Sequence, residues 1–185
     1  EVFLEEFLAS NGLNPQKDVK MLSVGTSSDR IAALYAKRIS ATVLSPPWNF
    51  KILDQGYQRI ANMGESVLGY QGSLSILQAT LDEKKSSVLG FMRSMMRAQN
   101  FYRTRKSESL PMMMQFSKLE SLELTQRVYD YLLPSMTVDG SLPDAVVEAE
   151  IQRAAKSLKL AKMPPAQEIF DFSYAREASR ALAQK

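Results

Sequence analysis

The sequence predicts an α/β fold in which a parallel sheet is followed by a helical C-terminal half. Residues 19–24 and 41–44 are short apolar runs containing valine and leucine, a composition typical of buried strands. Between these runs, Gly25 to Asp29 supplies a turn glycine, hydroxyl side chains and an early carboxylate, which predict a helix over residues 28–38. A strand, a helix and a second strand in this order predict a right-handed βαβ unit with parallel strands.

Apolar spacing and turn residues predict the elements on either side of this unit. Phenylalanines and leucines at helical spacing predict a first helix over residues 1–10, ended by Gly12. No capping residue precedes Val2, so we expect that a further segment belongs upstream. A short helix and two further strands are expected over residues 48–55, 58–63 and 73–79, the last because polar and apolar residues alternate there.

From Asp82 onward the pattern is helical. Asp82 is expected to cap a long helix, and three further helices are expected over residues 107–116, over 120–133 and from 141. A final helix is expected from Ser173. The predicted core faces of the first, third and fourth of these helices consist of Val88, Met92, Met95, Gln99 and Tyr102, widened by Leu89 and Met96; Leu124, Val128, Tyr131 and Leu132; and Val147, Ile151, Ala154 and Leu158.

The composition excludes several classes of function. The chain has 185 residues, of which 45% are hydrophobic and 23% charged, enough for one domain or two small lobes. Its formal net charge of +3, with both signs interleaved, argues against a nucleic-acid partner. With neither cysteine nor histidine, the chain lacks thiolate chemistry and the commonest general base. We therefore predict no enzyme activity, no catalytic residue, no metal site and no cofactor.

An ordered set of segments carries a resemblance to a known family. The set comprises Gly12–Pro15, Lys17–Val19, Val24–Gly25, Arg30–Leu34 and Ala41–Pro47, with Asp171–Ser173 near the C-terminus. Together they resemble the solute-binding proteins of nitrate/sulfonate/taurine-type ABC importers, the group that includes the NMT1/THI5-like domains. The resemblance implies a partial, two-lobed, type II periplasmic-binding-protein-like architecture. Residues 1–70 would form most of the ligand-binding second lobe, and residues 71–185 would return to the first lobe.

Candidate ligand contacts lie where the two predicted strands end, because ligands of open α/β sheets bind beyond the carboxyl ends of the strands. Hydroxyls and helix amides at Thr26 and Ser27 could hold an anion, although plain helix capping explains them equally well. Trp48 could form one wall of the ligand site, or could be a buried core residue. A hinge near residues 69–72 could close over the ligand, or could be a surface turn. The predicted ligand-binding residues are Gly25, Thr26, Ser27, Ser45, Pro46, Trp48, Asn49, Tyr70 and Gln71.

The resemblance implies capture of a small anionic or heterocyclic solute outside the cytoplasm, for delivery to the membrane subunit of an ABC permease. Three alternatives remain open: the effector-sensing domain of a transcription regulator, a THI5-like pyrimidine-synthesis enzyme, and a scaffold that binds no solute. The enzyme is disfavoured because the family chemistry would use histidine and cysteine. We also expect the chain to self-associate through exposed apolar surface or a sheet edge. Arg30, Lys37 and Arg38 are interpreted as a solvated helix face.

Overall fold

A computed structural model of the chain describes residues 2–67, 69–70 and 72–183. These residues divide into two compact units, one up to residue 68 and one from residue 69 onward. In the first unit the helices are α1 (Val2–Ser10), α2 (Ser27–Tyr35), α3 (Trp48–Asp54) and α4 (Met63–Ser66). In the second they are α5 (Gln78–Glu83), α6 (Lys85–Thr104), α7 (Lys106–Ser117), α8 (Leu122–Leu132), a 3₁₀ turn (Leu133–Ser135), α9 (Asp144–Leu158), α10 (Ala166–Ile169) and α11 (Ser173–Ala183).

The predicted parallel sheet is wrong. Across the described ranges the secondary structure contains helices and turns but no strand, so the α/β, periplasmic-binding-protein-like architecture with its βαβ unit is not observed. Residues 19–24 and 41–44 flank α2, as predicted, but both lack regular structure. An apolar run predicts burial, whereas a strand also requires a neighbouring backbone to pair with. Leu22 is 54% exposed, and the carbonyl of Val43 accepts a hydrogen bond from the Arg30 side chain.

The two later strands are wrong for a related reason. Residues 58–62 are irregular and Met63 begins α4, while residues 73–77 are irregular and Gln78 begins α5. Alternating polar and apolar residues form a strand only when one face is covered. Here Ile60 is 83% exposed and Leu77 is 76% exposed, so no apolar face is buried along either segment.

The first unit is built around α3. Phe50 and Ile52 are its buried side chains, and the adjoining chain is held by the Tyr35 hydroxyl, which donates to Oε1 of Gln55. The rings of Tyr35 and Tyr57 lie 5.7 Å apart, and α1 packs against α4. With few large side chains removed from water, this unit has a small hydrophobic core.

In the second unit, α6 packs along α11 through side chains of unequal size. Met96 of α6 is 4% exposed, and the facing helix supplies the buried small residues Ala175 and Ala178. Gly140, in the loop before α9, approaches both helices: a Cβ built on it would lie 2.9 Å from Cβ of Ala175 and 3.2 Å from Sδ of Met96. Small residues at this crossing therefore let two helices and a loop meet.

Aromatic and polar contacts join α6 to α8. The rings of Tyr102 and Tyr129 stack with centroids 4.5 Å apart, and the Tyr129 hydroxyl donates to the backbone carbonyl of Tyr102. Burial raises the pKa of the Tyr102 hydroxyl, with smaller contributions from Tyr129 and Asp130. Lys106 Nζ lies 2.6 Å from Asp130 Oδ1 and 5.3 Å from the Tyr129 ring, so one cation serves two partners.

The predicted helices of this half are confirmed, with corrections to their starts and faces. Lys84, not Asp82, precedes the long helix α6, because α5 ends at Glu83. Met96, which was predicted to widen the core face of α6, is buried, whereas Met95 is 43% exposed, and Ala155 is buried where Ala154 was predicted. Met95 and Ala154 were misplaced because sequence spacing alone does not locate the partner helix. Leu158, predicted as core, is exposed at the end of α9, and Thr125 and Tyr129 replace Tyr131 and Leu132 in the core of α8.

Apolar side chains are exposed along both units. Phe116 is 90% exposed, and Ile60, Leu74, Leu77, Met112 and Val138 are also exposed. Such a surface is consistent with association between copies. The predicted self-association stays a prediction, without the sheet edge that was part of its reasoning.

Replacing Gly140 by alanine is expected to destabilise the second unit by about 2 to 4 kcal/mol. An alanine is strained in the left-handed backbone conformation of this position, and its Cβ would overpack the contact with Ala175 and Met96. Gly140 has a φ of +75° and no room for a Cβ. Gly90→Ala in α6 is the control, because a Cβ there meets open space and alanine favours a helix. Urea unfolding should show a lower midpoint for Gly140→Ala and an equal or higher one for Gly90→Ala. Equal midpoints would mean that the loop moves away without cost.

Replacing Ser109 by alanine is expected to stabilise the protein by about 1 kcal/mol, because a buried hydroxyl without a partner costs free energy. Ser109 of α7 is 3% exposed, and its Oγ has no hydrogen-bond partner among the residues that the structure describes. Ser107→Ala, in the exposed first turn of the same helix, should change the free energy of unfolding by no more than about 0.5 kcal/mol. The comparison is made by thermal and urea unfolding. A loss of stability in Ser109→Ala would show that the hydroxyl has a partner in solution.

Candidate functional site

Arg30 connects the two segments that carry most of the predicted ligand contacts. Its Nη1 donates to the carbonyl of Val43 over 2.8 Å, and its Nε donates to the carbonyl of Thr26 over 3.3 Å. A longer contact of 3.4 Å joins Nη2 to the Ser27 hydroxyl. The planar guanidinium thus spans the start of α2 and the chain just before Ser45. Arg30 is therefore not the solvated residue that the sequence indicated.

Thr26 caps α2 in a reciprocal arrangement with Asp29. The Thr26 hydroxyl and backbone N–H both donate to Asp29 Oδ2, over 2.7 and 2.9 Å, while the Asp29 N–H donates to the Thr26 hydroxyl. These bonds from Thr26, the hydroxyl first, hold the pKa of the Asp29 carboxyl below its usual value. The bonds of Thr26 match the capping alternative, and the carboxylate of Asp29 already occupies the backbone amide of the capping residue.

Gly25 makes this turn possible. Its φ is +81°, in the left-handed region, and a Cβ built there would lie 2.8 Å from Asp29 Oδ2. A side chain would therefore strain the backbone and crowd the capping carboxylate. The glycine is required for the turn geometry, and any ligand contact it makes would come from its backbone.

A groove of about 650 Å³ runs along α2 next to this turn. It is lined by Leu22, Ser23, Val24, Asp29, Ala32, Ala33, Ala36, Arg38 and Ile39. The alanine side chains are small and leave space along one face of α2, and residues 22–24 also line the groove. The volume is in the range of small-molecule sites, and its lining is mainly apolar with two charged groups, Asp29 and Arg38.

Residues 45–49 lead into α3, which begins at Trp48. The Asn49 N–H donates to the carbonyl of Ser45 over 3.3 Å, and Asn49 Oδ1 accepts from the Phe50 N–H. Trp48 is half-buried, with Lys51 Nζ 5.1 Å from its ring centroid. The indole is thus neither a core residue nor free in solvent, and one face of it already attracts a cation.

The last two predicted residues belong to a different part of the chain. Tyr70 is assigned to the second unit, where its ring meets Phe170 edge-on with centroids 6.1 Å apart. Phe170 in turn stacks on Phe172 at 5.9 Å. Gln71 lies outside the described residues. Arg30 connects the start of α2 to residue 43, whereas Tyr70 contacts Phe170 in the second unit.

Sequence reasoning missed Asp29, Arg30 and the alanine face of α2 as parts of the site. A signal for them was present. Ala32 and Ala36 are four residues apart and so share a helix face, and Arg30 stands four residues after Thr26. The interpretation of Arg30 as solvated failed because the acceptor, the Val43 carbonyl, was assigned to a sheet.

The described residues contain no cluster of metal ligands. Within them no group of three Asp, Glu, His or Cys side chains could hold a metal ion. The groups near α2 are the capping pair Thr26 and Asp29, the side chain of Arg30, which donates to backbone carbonyls, and the small apolar side chains that line the groove. Such an arrangement can hold a molecule by shape and a few polar contacts.

A comparison with protein families decides what kind of protein carries this site. The model of the NMT1-like family matches residues 1–115, which is more than half of the chain. The chain belongs to the NMT1-like family. The resemblance of the sequence to NMT1/THI5-like solute-binding proteins is thereby confirmed.

Membership in the NMT1-like family suggests a solute-binding role in ABC import, and the family consists mostly of extracytoplasmic binding proteins. The match ends within α7 and includes the whole first unit. Comparisons with curated proteins and with solved structures found no match. None of the described helices is long and apolar enough to cross a membrane.

Replacing Thr26 by valine is expected to raise the pKa of Asp29 towards its usual value, because the largest of the interactions that lower it is the Thr26 hydroxyl. Because the pKa of Asp29 is lower in the folded than in the unfolded chain, the ionised carboxylate stabilises the fold at a pH above the unfolded-state pKa. This contribution is lost as the pH falls through the folded-state pKa. An NMR titration of the Asp29 carboxyl carbon measures the shift. Ser28→Ala, at an exposed position in the same turn, should leave the titration unchanged. An unaltered pKa in Thr26→Val would refute the capping geometry.

Proposed function

We propose that this NMT1-like chain is the solute-binding protein of an ABC importer of the nitrate/sulfonate/taurine type. In this proposal it works in the periplasm or another extracytoplasmic space and delivers its solute to the membrane subunit of the permease. The family match over residues 1–115 carries the proposal. No observation favours the regulator or the pyrimidine-synthesis enzyme over it.

We place the solute contacts within residues 1–70, at the groove beside α2 and the adjoining start of α3. Gly25, Thr26 and Ser27 follow the groove wall formed by residues 22–24. Arg30 ties Thr26 to Val43, two residues before Ser45. Ser45, Pro46, Trp48 and Asn49 are proposed as the second set of contacts. The ligand contacts expected of Tyr70 and Gln71, which follow the first unit, stay predictions.

At the start of α2 the charge of Asp29 favours a heterocyclic solute over a simple anion, while Arg38 provides a positive charge elsewhere in the groove lining. The Asp29 carboxylate is held ionised by Thr26, so an anion at the start of α2 would meet a fixed negative charge. A flat ring with N–H donors suits the carboxylate, and the alanine face of α2 provides apolar contact. Trp48 offers the ring a surface on which to stack. Binding is proposed to be reversible, with no turnover of the solute and no cofactor.

Trp48 is the only tryptophan, so its emission reports on the proposed site directly. A panel of small pyrimidines, sulfonates and nitrate is expected to contain a solute that shifts this emission, because stacking would displace the Lys51 ammonium from the ring. Trp48→Ala should weaken binding of that solute by about 1 to 3 kcal/mol, the usual value for an aromatic anchor. Calorimetry measures the affinities.

Leu13→Ala is the matched control, because Leu13 is an exposed apolar residue of the same unit that does not line the groove. It should bind the solute with unchanged affinity. A solute that binds by calorimetry without altering the Trp48 emission would remove Trp48 from the site. Failure of every compound in the panel to bind would contradict the proposed solute class.

A further inference from the structure

A second groove lies in the part of the chain that follows the family match. Its volume is about 500 Å³, and it is lined by Asp139, Arg176, Ser179 and Arg180. All four residues lie beyond residue 115, where the match to the NMT1-like family ends. The groove is therefore separate in sequence from the site beside α2.

The two arginines are neighbours on one face of α11. Arg176 and Arg180 are four residues apart, the spacing that places side chains side by side on a helix, and Ser179 adds a hydroxyl next to them. Each guanidinium carries five N–H donors in a planar fork, the geometry that matches the oxygens of carboxylate, sulfate and phosphate groups. The two guanidinium groups and the Ser179 hydroxyl therefore form a cluster of hydrogen-bond donors.

The donors of both arginines remain available among the described residues. Arg180 makes no hydrogen bond or ion pair with them. Arg176 is held in place by Phe172, whose ring centroid lies 5.7 Å from its Cζ. Its Nε forms an ion pair with Asp139 Oδ2 at 4.0 Å, a distance too long for a hydrogen bond.

Asp139 is largely committed to its own turn. Its Oδ1 accepts from the Ser141 hydroxyl over 2.7 Å and from the Ser141 N–H over 3.0 Å. These bonds, followed by the charge of Arg176, lower the pKa of Asp139 and keep it ionised. With two guanidinium groups and one carboxylate, the groove retains one net positive charge.

We propose that this groove binds a small organic molecule that carries a single oxyanion group, held by Arg176, Arg180 and the Ser179 hydroxyl. One net positive charge suits one negative charge on the ligand. The volume exceeds that of a bare ion and lies within the range for small-molecule sites. The site is independent of solute binding beside α2, since none of its residues lines that groove.

The proposal is tested by NMR on the full-length chain, with the arginine Nε–Hε signals as the readout. Propionate and methanesulfonate, each an organic anion with one negative charge, are titrated separately at fixed ionic strength, so that screening stays constant. We expect saturable shifts of the Arg176 and Arg180 signals. Saturation by propionate alone identifies a carboxylate ligand, and saturation by methanesulfonate alone identifies a tetrahedral oxyanion; either supports the proposal, as does saturation by both.

Charge variants distinguish the groove from general attraction to a basic surface. Arg180→Gln should weaken binding about tenfold, the usual loss when a charge-assisted hydrogen bond is removed. Arg97→Gln, an exposed arginine of α6 outside the groove, should leave it unchanged. Asp139→Asn should strengthen binding about threefold or more, because it removes the competing charge while Oδ1 can still accept from Ser141. Glu83→Gln controls for the change in net charge.

Shifts that stay linear up to high concentration would overturn the proposal, as would equal weakening by Arg180→Gln and Arg97→Gln. The backbone amide spectrum of each variant verifies that it is folded. If Arg180→Gln were to unfold, Arg180→Lys would replace it: a lysine keeps the charge but loses the fork, and binding should still weaken. Unchanged affinity in that variant would also overturn the proposal.

Discussion

The guanidinium of Arg30 is the contact on which the candidate solute site depends. It satisfies the carbonyls of Thr26 and Val43 at once and thereby joins the chain before α2 to the chain after it. Hydrogen bonds to a charged donor are stronger than neutral ones, and a planar fork fixes direction as well as distance. Since the described residues contain no strand, this side chain provides the connection that paired strands would have made between the two segments.

The capping of α2 depends on the same turn. Gly25 adopts a left-handed conformation and leaves room for Asp29, which binds the hydroxyl and amide of Thr26. Thr26 therefore has its side chain engaged by Asp29 and its carbonyl by Arg30. A position that looked in sequence like an open anion site already holds an anion of the protein. The groove beside α2 consequently combines a fixed carboxylate with apolar walls, which sets the kind of molecule that suits it.

The packing of the second unit depends instead on small residues at the place where two helices and a loop meet. Gly140, Ala175 and Ala178 allow a loop and α11 to approach α6, and Met96 fills the remaining space. Close packing of this kind tolerates little added volume. The same helix α11 carries the arginine pair on its other, exposed side, so the element that completes the core also presents the second groove.

The sequence by itself determined the local features of this protein: the helices α1 to α3, α6 to α9 and α11, a hydroxyl cap at the start of α2, the turn at Gly25 and membership in the NMT1-like family. These follow from residues close together in the chain, where spacing, turn residues and capping side chains act. Only the tertiary structure decided whether the apolar runs at 19–24, 41–44 and 73–79 would pair as strands, because pairing depends on a distant backbone. It also decided the role of Arg30, whose acceptor is thirteen residues away, and the choice of Met96 over Met95 as the core residue. In each case the deciding atom lies on another segment, which local spacing does not specify.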